Sequence, residues 1–262
     1  MTDQTPLDIA HVAMDAAPED AAARLRFFER LADSELFMLL QGEAAGDTLT
    51  PEVFEVDDAK YVLVFDREER LAEFVGDSAH HAVVSGRVVA TMLAVQGIGL
   101  GLNLGVAPSS ILIPADAMAW LCDMLDNAPV EVMARPVSFE APVRASQALL
   151  AAIDTKLATA VGLAALAYLV AVEYKTGERG MMLAIIDALP AAQGALAKAV
   201  GEVVAFGGDE ADGLDVVFFT ASDPVCATLE KVGLRFDLPE RKAAAHEPVA
   251  PGRNPDSPPI LR

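Results

Sequence analysis

Apolar positions along this chain change period repeatedly, and each change marks an expected element. From Glu19 to Ser34 the string EDAAARLRFFERLADS sets Ala22, Leu25, Phe28, Leu31 and Ala32 at helical spacing, with acids early and arginines after them. Residues 1–18 ahead of it read as a loose arm. Glu35–Gln41 reads as a strand, and Gly42–Thr50 as a polar loop. Phe54–Val56 and Tyr61–Phe65 flank Asp57-Asp58, a hairpin signal. Asp66 then caps a helix over Arg67–Phe74, with Glu69 in the capping-box position. Gly76–His80 reads as a turn, and Ser85–Gln96 as a helix with Val88, Val89, Met92 and Val95 inward. Gly97–Leu125 runs from a glycine-rich strand through a turn at 106–110 to a short strand, Ile111–Ile113, and a helix opened by Pro114.

The second half begins after an exit loop at Asn127–Pro129. Val130–Val143 is either a linker or a strand. Ser146 caps an Ala/Leu helix to about Ala160. Leu166–Tyr174 and Gly180–Asp187 form a hairpin, Leu189–Phe206 a helix, and Leu214–Thr220 a buried strand. A short helix from Asp223-Pro224 to Lys231 and a strand over Leu234–Leu238 complete the pattern. The expected fold is α+β: two mixed domains of short, mainly antiparallel strands, with helices on one side of each sheet. The expected division is an arm over 1–18, domains over 19–130 and 131–242, and a disordered tail over 243–262.

Two stretches carry a resemblance. Tyr61–Phe74, YVLVFDREERLAEF, runs an apolar strand into an acidic-capped helix. Gly97–Trp120 places Gly99, Gly101, Asn103 and Gly105 before a loop, a strand and Ile113-Pro114-x-x-Ala117. On these the first half resembles the SseB protein N-terminal domain. The family has Asn followed by Pro-Gly, and Leu104 stands here in place of that proline, which implies a looser turn. The second half looks like the SseB C-terminal domain, through its hairpin, its helix from Leu189 and Asp215–Phe236. The resemblance spans roughly residues 20–240 and carries no established catalytic residues to transfer. It links the chain loosely to serine sensitivity and sulfur transfer.

Composition narrows the function. The chain has 262 residues, 53% hydrophobic and 22% charged, with a net charge of −20. Residues 1–130 hold 22 acids against 7 bases. Such a surface repels phosphate backbones and anionic membranes, so neither nucleic acid nor membrane is expected as partner, and a basic partner fits. The uncharged run Leu157–Val172 is too short to span a bilayer, and Gly162 divides it. The N-terminus is acidic and lacks the basic region of a signal peptide. Two isolated cysteines, Cys122 and Cys226, fit a reducing cytoplasm.

The candidate chemistry is thin. Gly99-x-Gly101-x-x-x-Gly105 misses the dinucleotide spacing and leads into a strand. His80-His81, with Asp77 nearby, lacks further ligands for a metal. His11 and His246 fall in the expected loose ends. Cys226 sits in a first helical turn, where thiol pKa values fall, but Asp223 opposes a thiolate. Cys122 occupies a core-like helix position. Asp57-Asp58, Glu68-Glu69 and Asp209-Glu210 read as solvated, and the Gly207–Gly213 loop lacks calcium-loop spacing. No catalytic, cofactor or metal residue is therefore assigned. The expected protein is a non-enzymatic, cytosolic binding or regulatory protein with an unknown protein partner. It would make contact through sheet edges, above all the Gly99–Gly105 strand, or through the groove between domains. The alternatives are an enzyme of sulfur or amino-acid metabolism using Cys226, and an adaptor or chaperone for a secreted cargo.

Overall fold

The computed structural model describes residues 4–43, 49–76, 79–126, 136–207 and 213–240. They form an α+β fold in two parts, each built on one mixed sheet of mostly antiparallel strands. The expected tail, 243–262, lies outside the described residues, as does the 208–212 segment of the glycine loop.

The first part contains helices α1 (Pro6–Ala16) and α2 (Ala21–Asp33), and strands β1 (Glu35–Leu39), β2 (Val53–Val56) and β3 (Ala59–Phe65). Helix α3 (Glu68–Val75), strand β4 (His81–Ser85) and helix α4 (Gly86–Gln96) follow. Strands β5 (Gly99–Leu102) and β6 (Ile111–Ile113) lead to helix α5 (Ala115–Asp126). The sheet order is β4-β1-β3-β5-β6, with β2 beside the start of β3 and only β3–β5 parallel. Asp57 and Asp58 both take positive φ, 48° and 64°, so the β2–β3 hairpin turns through the primed geometry that matches strand twist.

The second part contains β7 (Pro136–Glu140), α6 (Gln147–Ala158), β8 (Leu166–Tyr174) and β9 (Arg179–Ile186). A single 3-10 turn, Pro190–Ala192, leads into α7 (Gln193–Gly207), then β10 (Leu214–Phe219), α8 (Cys226–Val232) and β11 (Leu234–Asp237). The order is β10-β9-β8-β11, with β7 on the far end of β8 and only β9–β10 parallel. The run Leu157–Val172 divides between α6 and β8 around Gly162, and no helix among the described residues is long and apolar enough to cross a membrane.

Both sheets carry helices on both faces, which corrects the one-sided expectation. On the first sheet, α2, α4 and α5 cover the face that holds Val62, Val64, Leu100 and Leu102, and α3 covers part of the other. On the second, α6 and α7 cover Ala167, Leu169, Leu183 and Ile185, while α8 covers Tyr168 and Val170. The reason is visible in β3 and β8. Their apolar runs are continuous rather than alternating, so both faces need cover.

Three further corrections concern local structure. Residues 1–18 are not a loose arm where described, because Pro6–Ala16 is helical and Leu7 is only 1% exposed in the first core. Thr5 and Asp8 form a capping box, each side chain taking the other's backbone N–H at 3.1 and 3.0 Å. Helix α4 turns Val89, Ala90 and Leu93 inward and leaves Val88 and Val95 out, Val95 being 84% exposed. A Cβ at Gly86 would lie 1.8 Å from the Leu31 carbonyl oxygen, so α4 begins pressed against the end of α2. Finally, β4 pairs with β1 from Glu35↔Ser85 to Leu39↔His81, giving a strand just ahead of the expected helix.

The two parts join through helices, α2 and α5 against α7. Phe206 of α7 is 2% exposed and belongs to the core of the first part.

Candidate functional site

Two buried ionic networks organise charged groups of the described residues. The first ties α1 to α3 and the loop after β5. Arg70 Nη2 donates to Asp8 Oδ2 at 2.5 Å, and its Nη1 to Asp8 Oδ1 at 3.1 Å and Asp66 Oδ1 at 2.7 Å. The Ser109 hydroxyl donates to Asp8 at 2.6 Å, and Thr5 to Asp66 at 2.6 Å. Asn103, at φ 47°, accepts from the Asp66 backbone at 3.1 Å and donates to Ser109 at 2.8 Å. Burial by itself would push the Asp8 carboxyl up, but hydrogen bonds from Arg70, Ser109 and Thr5 outweigh it and hold it well below the usual range. Asp66 is therefore not the cap of α3, whose N-cap is Arg67 without a side-chain cap bond. The turn after β5 closes through Val106 N–H to Asn103 O at 3.2 Å.

The second network lies between the two parts. Arg87 at the start of α4 grips Glu202 of α7 through both its terminal nitrogens, one contact measuring 2.6 Å, and reaches Asp33 of α2 at 2.6 Å. Lys156 of α6 donates to Asp33 at 2.6 Å and Glu202 at 3.1 Å, and stands 3.6 Å from Glu29. Glu29, Lys156 and Glu202 are buried. Burial raises the Glu29 carboxyl against the pull of Lys156. Burial also opposes ionisation of Asp33, but Lys156 and Arg87 prevail and its carboxyl is lowered. The groove between the parts, one of the expected contact sites, is thus packed with side chains that satisfy one another. A void of only about 20 Å³ beside Glu29 and Phe206 is too small for a ligand.

The residues nominated from sequence do not converge. Strand β5 lies inside the sheet, between β3 and β6, so Gly99–Gly105 is not a contact edge. Its glycines admit side chains of the same sheet instead. A Cβ at Gly99 would lie 2.6 Å from the Tyr61 ring, and one at Gly101 would lie 2.5 Å from Leu63 Cδ2. His81 Nδ1 lies 3.1 Å from the Ala79 carbonyl, and its Nε2 is 3.9 Å from Glu68. Asp77 and Asp209-Glu210 lie outside the described residues. His11 packs edge-on against Phe27 and is buried rather than floppy. Among the described residues no cluster of His, Cys, Asp or Glu is arranged to hold a metal ion. Cys226 opens α8, but its thiol donates to the Thr220 carbonyl at 3.2 Å. Burial, then Asp223 and Asp187, push that thiol up, away from the thiolate a sulfur-transfer nucleophile needs.

Among the described residues, two sheet surfaces stay open. One is the second face of the first sheet. Strand alternation and register place Phe54, Val56, Tyr61, Leu63, Leu112 and the two glycines on it. Helix α3 covers Phe65 and Leu63 but leaves Val56 41% and Leu112 37% exposed. The other is a cleft of about 400 Å³ on the second sheet, where Glu140, Val143 and Arg144 face Glu173, Arg179 and Met181. Its charges balance, and Arg179 is already bound to Glu173 at 3.0 Å.

An α+β protein whose buried charges are held in internal networks is the class these features define. Residues 10–120, under half of the chain, match the family model described as the SseB protein N-terminal domain. The match begins inside α1, in the stretch expected to be an arm, and ends within α5. No curated protein and no solved structure matches the chain.

Proposed function

We propose that this is a non-enzymatic binding or regulatory protein of the SseB type, acting in the cytoplasm, with residues 131–242 as its SseB-like C-terminal domain. The observation that carries the reading is the second face of the first sheet. It lies within the segment that matches the family, it is apolar, and α3 covers only part of it. A face of this kind is what a protein partner covers. The internal networks support the same reading, because they commit Asp8, Arg70, Arg87 and Glu202 to holding the fold together.

The test is a photo-cross-linking amino acid at position 112, compared with one at position 95 on the opposite side of the first part. Cross-linking of one defined protein from 112 alone, lost when Val56 is changed to Asp, supports the reading. Equal labelling from both positions, or none from 112, overturns it.

A further inference from the structure

We propose that the open part of this face docks a basic, amphipathic helix of a partner protein. The inference rests on the binding reading above and adds the chemistry of the partner.

The floor is apolar and shaped by the sheet itself. Phe54 pairs with Tyr61, Tyr61 with Gly99, and Leu63 with Gly101, which pairs with Leu112. Tyr61, Leu63 and Leu104 fill the space the two glycines vacate, so the exposed part of the face lies around Val56 and Leu112, with Phe54 and Tyr61 half-buried. Leu104 and Val106 border it, half-buried.

The rim holds more acids than bases, with Arg67 at the α3 N-cap and Lys60 as its cations. Helix α3 presents Glu68, Glu69 and Glu73 to solvent. Its cation, Arg70, is buried and bound to Asp8 and Asp66. Asp57 and Asp58 stand exposed at the tip of the β2–β3 hairpin. Lys60, the cation nearest that tip in sequence, lies 4.0 Å from Glu55. An apolar floor inside an acidic rim complements a segment with apolar residues on one side and lysine or arginine on the other. It opposes nucleic acid and anionic membrane, both of which bring negative charge.

The sheet favours a helix over an added strand. At the Leu112 side the boundary strand is β6, only three residues long, a poor template for strand addition. Among the described residues the other sheet faces are covered by helices, and α3, eight residues long, completes only part of this layer.

The test uses the full chain and a labelled synthetic amphipathic helix of about 18 residues, leucine on one side and lysine on the other. A second peptide replaces each lysine with glutamate. Binding is read by fluorescence anisotropy, and circular dichroism checks that each variant is folded. The lysine peptide is expected to bind at least about tenfold tighter than the glutamate peptide, with the gap shrinking as salt rises. The double variant Val56→Asp/Leu112→Asp, and separately Glu69→Lys/Glu73→Lys, should each weaken the lysine peptide by about tenfold. Val95→Asp should leave it unchanged. Equal binding of the two peptides overturns the proposal, as does equal loss in the Val95 variant. So does a dimer that forms through Leu112 and excludes the peptide. If position 112 cross-links a partner in cells while the lysine peptide ignores the face, the binding reading stands and the basic-helix chemistry falls.

Discussion

Arg87 and Glu202, 115 positions apart in the chain, close the boundary between the two parts through a two-pronged guanidinium–carboxylate grip. Each is also tied to Lys156 or Asp33, so the pair anchors a four-helix junction of α2, α4, α6 and α7. Glu202→Gln keeps the volume and removes the charge. It leaves Lys156 and Arg87 sharing Asp33, and should cost about 1–3 kcal/mol, since each cation loses one charge-assisted partner and keeps another. Urea unfolding of the variant against wild type, at neutral pH, reads that cost directly.

Glu29 sits in the same junction and should behave in the opposite way. Its carboxyl is raised by burial, so the folded chain keeps the proton at pH values where the unfolded chain has released it. Stability therefore falls as pH rises from about 4.3, the ordinary glutamate value, through the raised one. Glu29→Gln removes that fall while Lys156 keeps Asp33 and Glu202. The variant should lose nothing at pH 7 and gain up to about 1 kcal/mol. Unfolding curves between pH 4 and pH 8 should be flatter than those of wild type.

Asp8 supplies the acid-sensitive element. Its carboxyl is held low in the folded state, so its stabilisation is fully present above about 3.9, the ordinary aspartate value. It is lost as pH falls below that value and through the lowered one. Asp8→Asn should cost about 3–5 kcal/mol at pH 7 by leaving Arg70 with Asp66 alone. The gap between variant and wild type should narrow steadily in unfolding measurements taken below about pH 4.

Gly99 and Gly101 give a graded packing test. An alanine Cβ at 101 meets the ends of Leu63 and Leu104, at 2.5 and 3.0 Å, which can swing aside. At 99 it meets the Ile113 carbonyl oxygen at 2.7 Å and the Tyr61 ring at 2.6 Å, which yield far less. Gly101→Ala should cost about 1–3 kcal/mol, and Gly99→Ala more. Equal melting temperatures for the two variants would contradict this account of β5.

Cys226 is expected to be a sluggish thiol. With burial, Asp223 and Asp187 all raising it, its alkylation rate should climb only above about 8.5, the ordinary cysteine value. Mass spectrometry of iodoacetamide-treated protein across pH separates it from Cys122. Rapid modification at pH 7 would reopen the sulfur-transfer alternative.

Much of the architecture was legible because local chemistry and tertiary need agree. Ser85 and Ser146 cap the helices they precede, and Asp57-Asp58 turns the hairpin its neighbours announce. The strand Leu166–Tyr174 has the bounds its apolar run suggests. What stayed hidden depends on contacts distant in sequence. Thr5-Pro6-x-Asp8 is a readable capping box, and it could have revealed α1. Nothing local says that Asp8 meets Arg70, 62 residues on, or that Ser109 closes the same cradle. The glycines of β5 suggested an approach by a foreign backbone. Only the sheet order shows that neighbouring side chains fill that space. The face of α4 was misread because two apolar stripes are available on it, and Val89, Ala90 and Leu93 rather than Val88 and Val95 enter the core.

Phe206 enters the first core from α7, so the boundary between cores crosses the boundary between sequence halves. A fragment ending at Asp126 would lack this plug and would present a greasy socket to water. The two halves consequently mature as one cooperative object, and evolutionary exchange of either half must bring along a compatible aromatic peg.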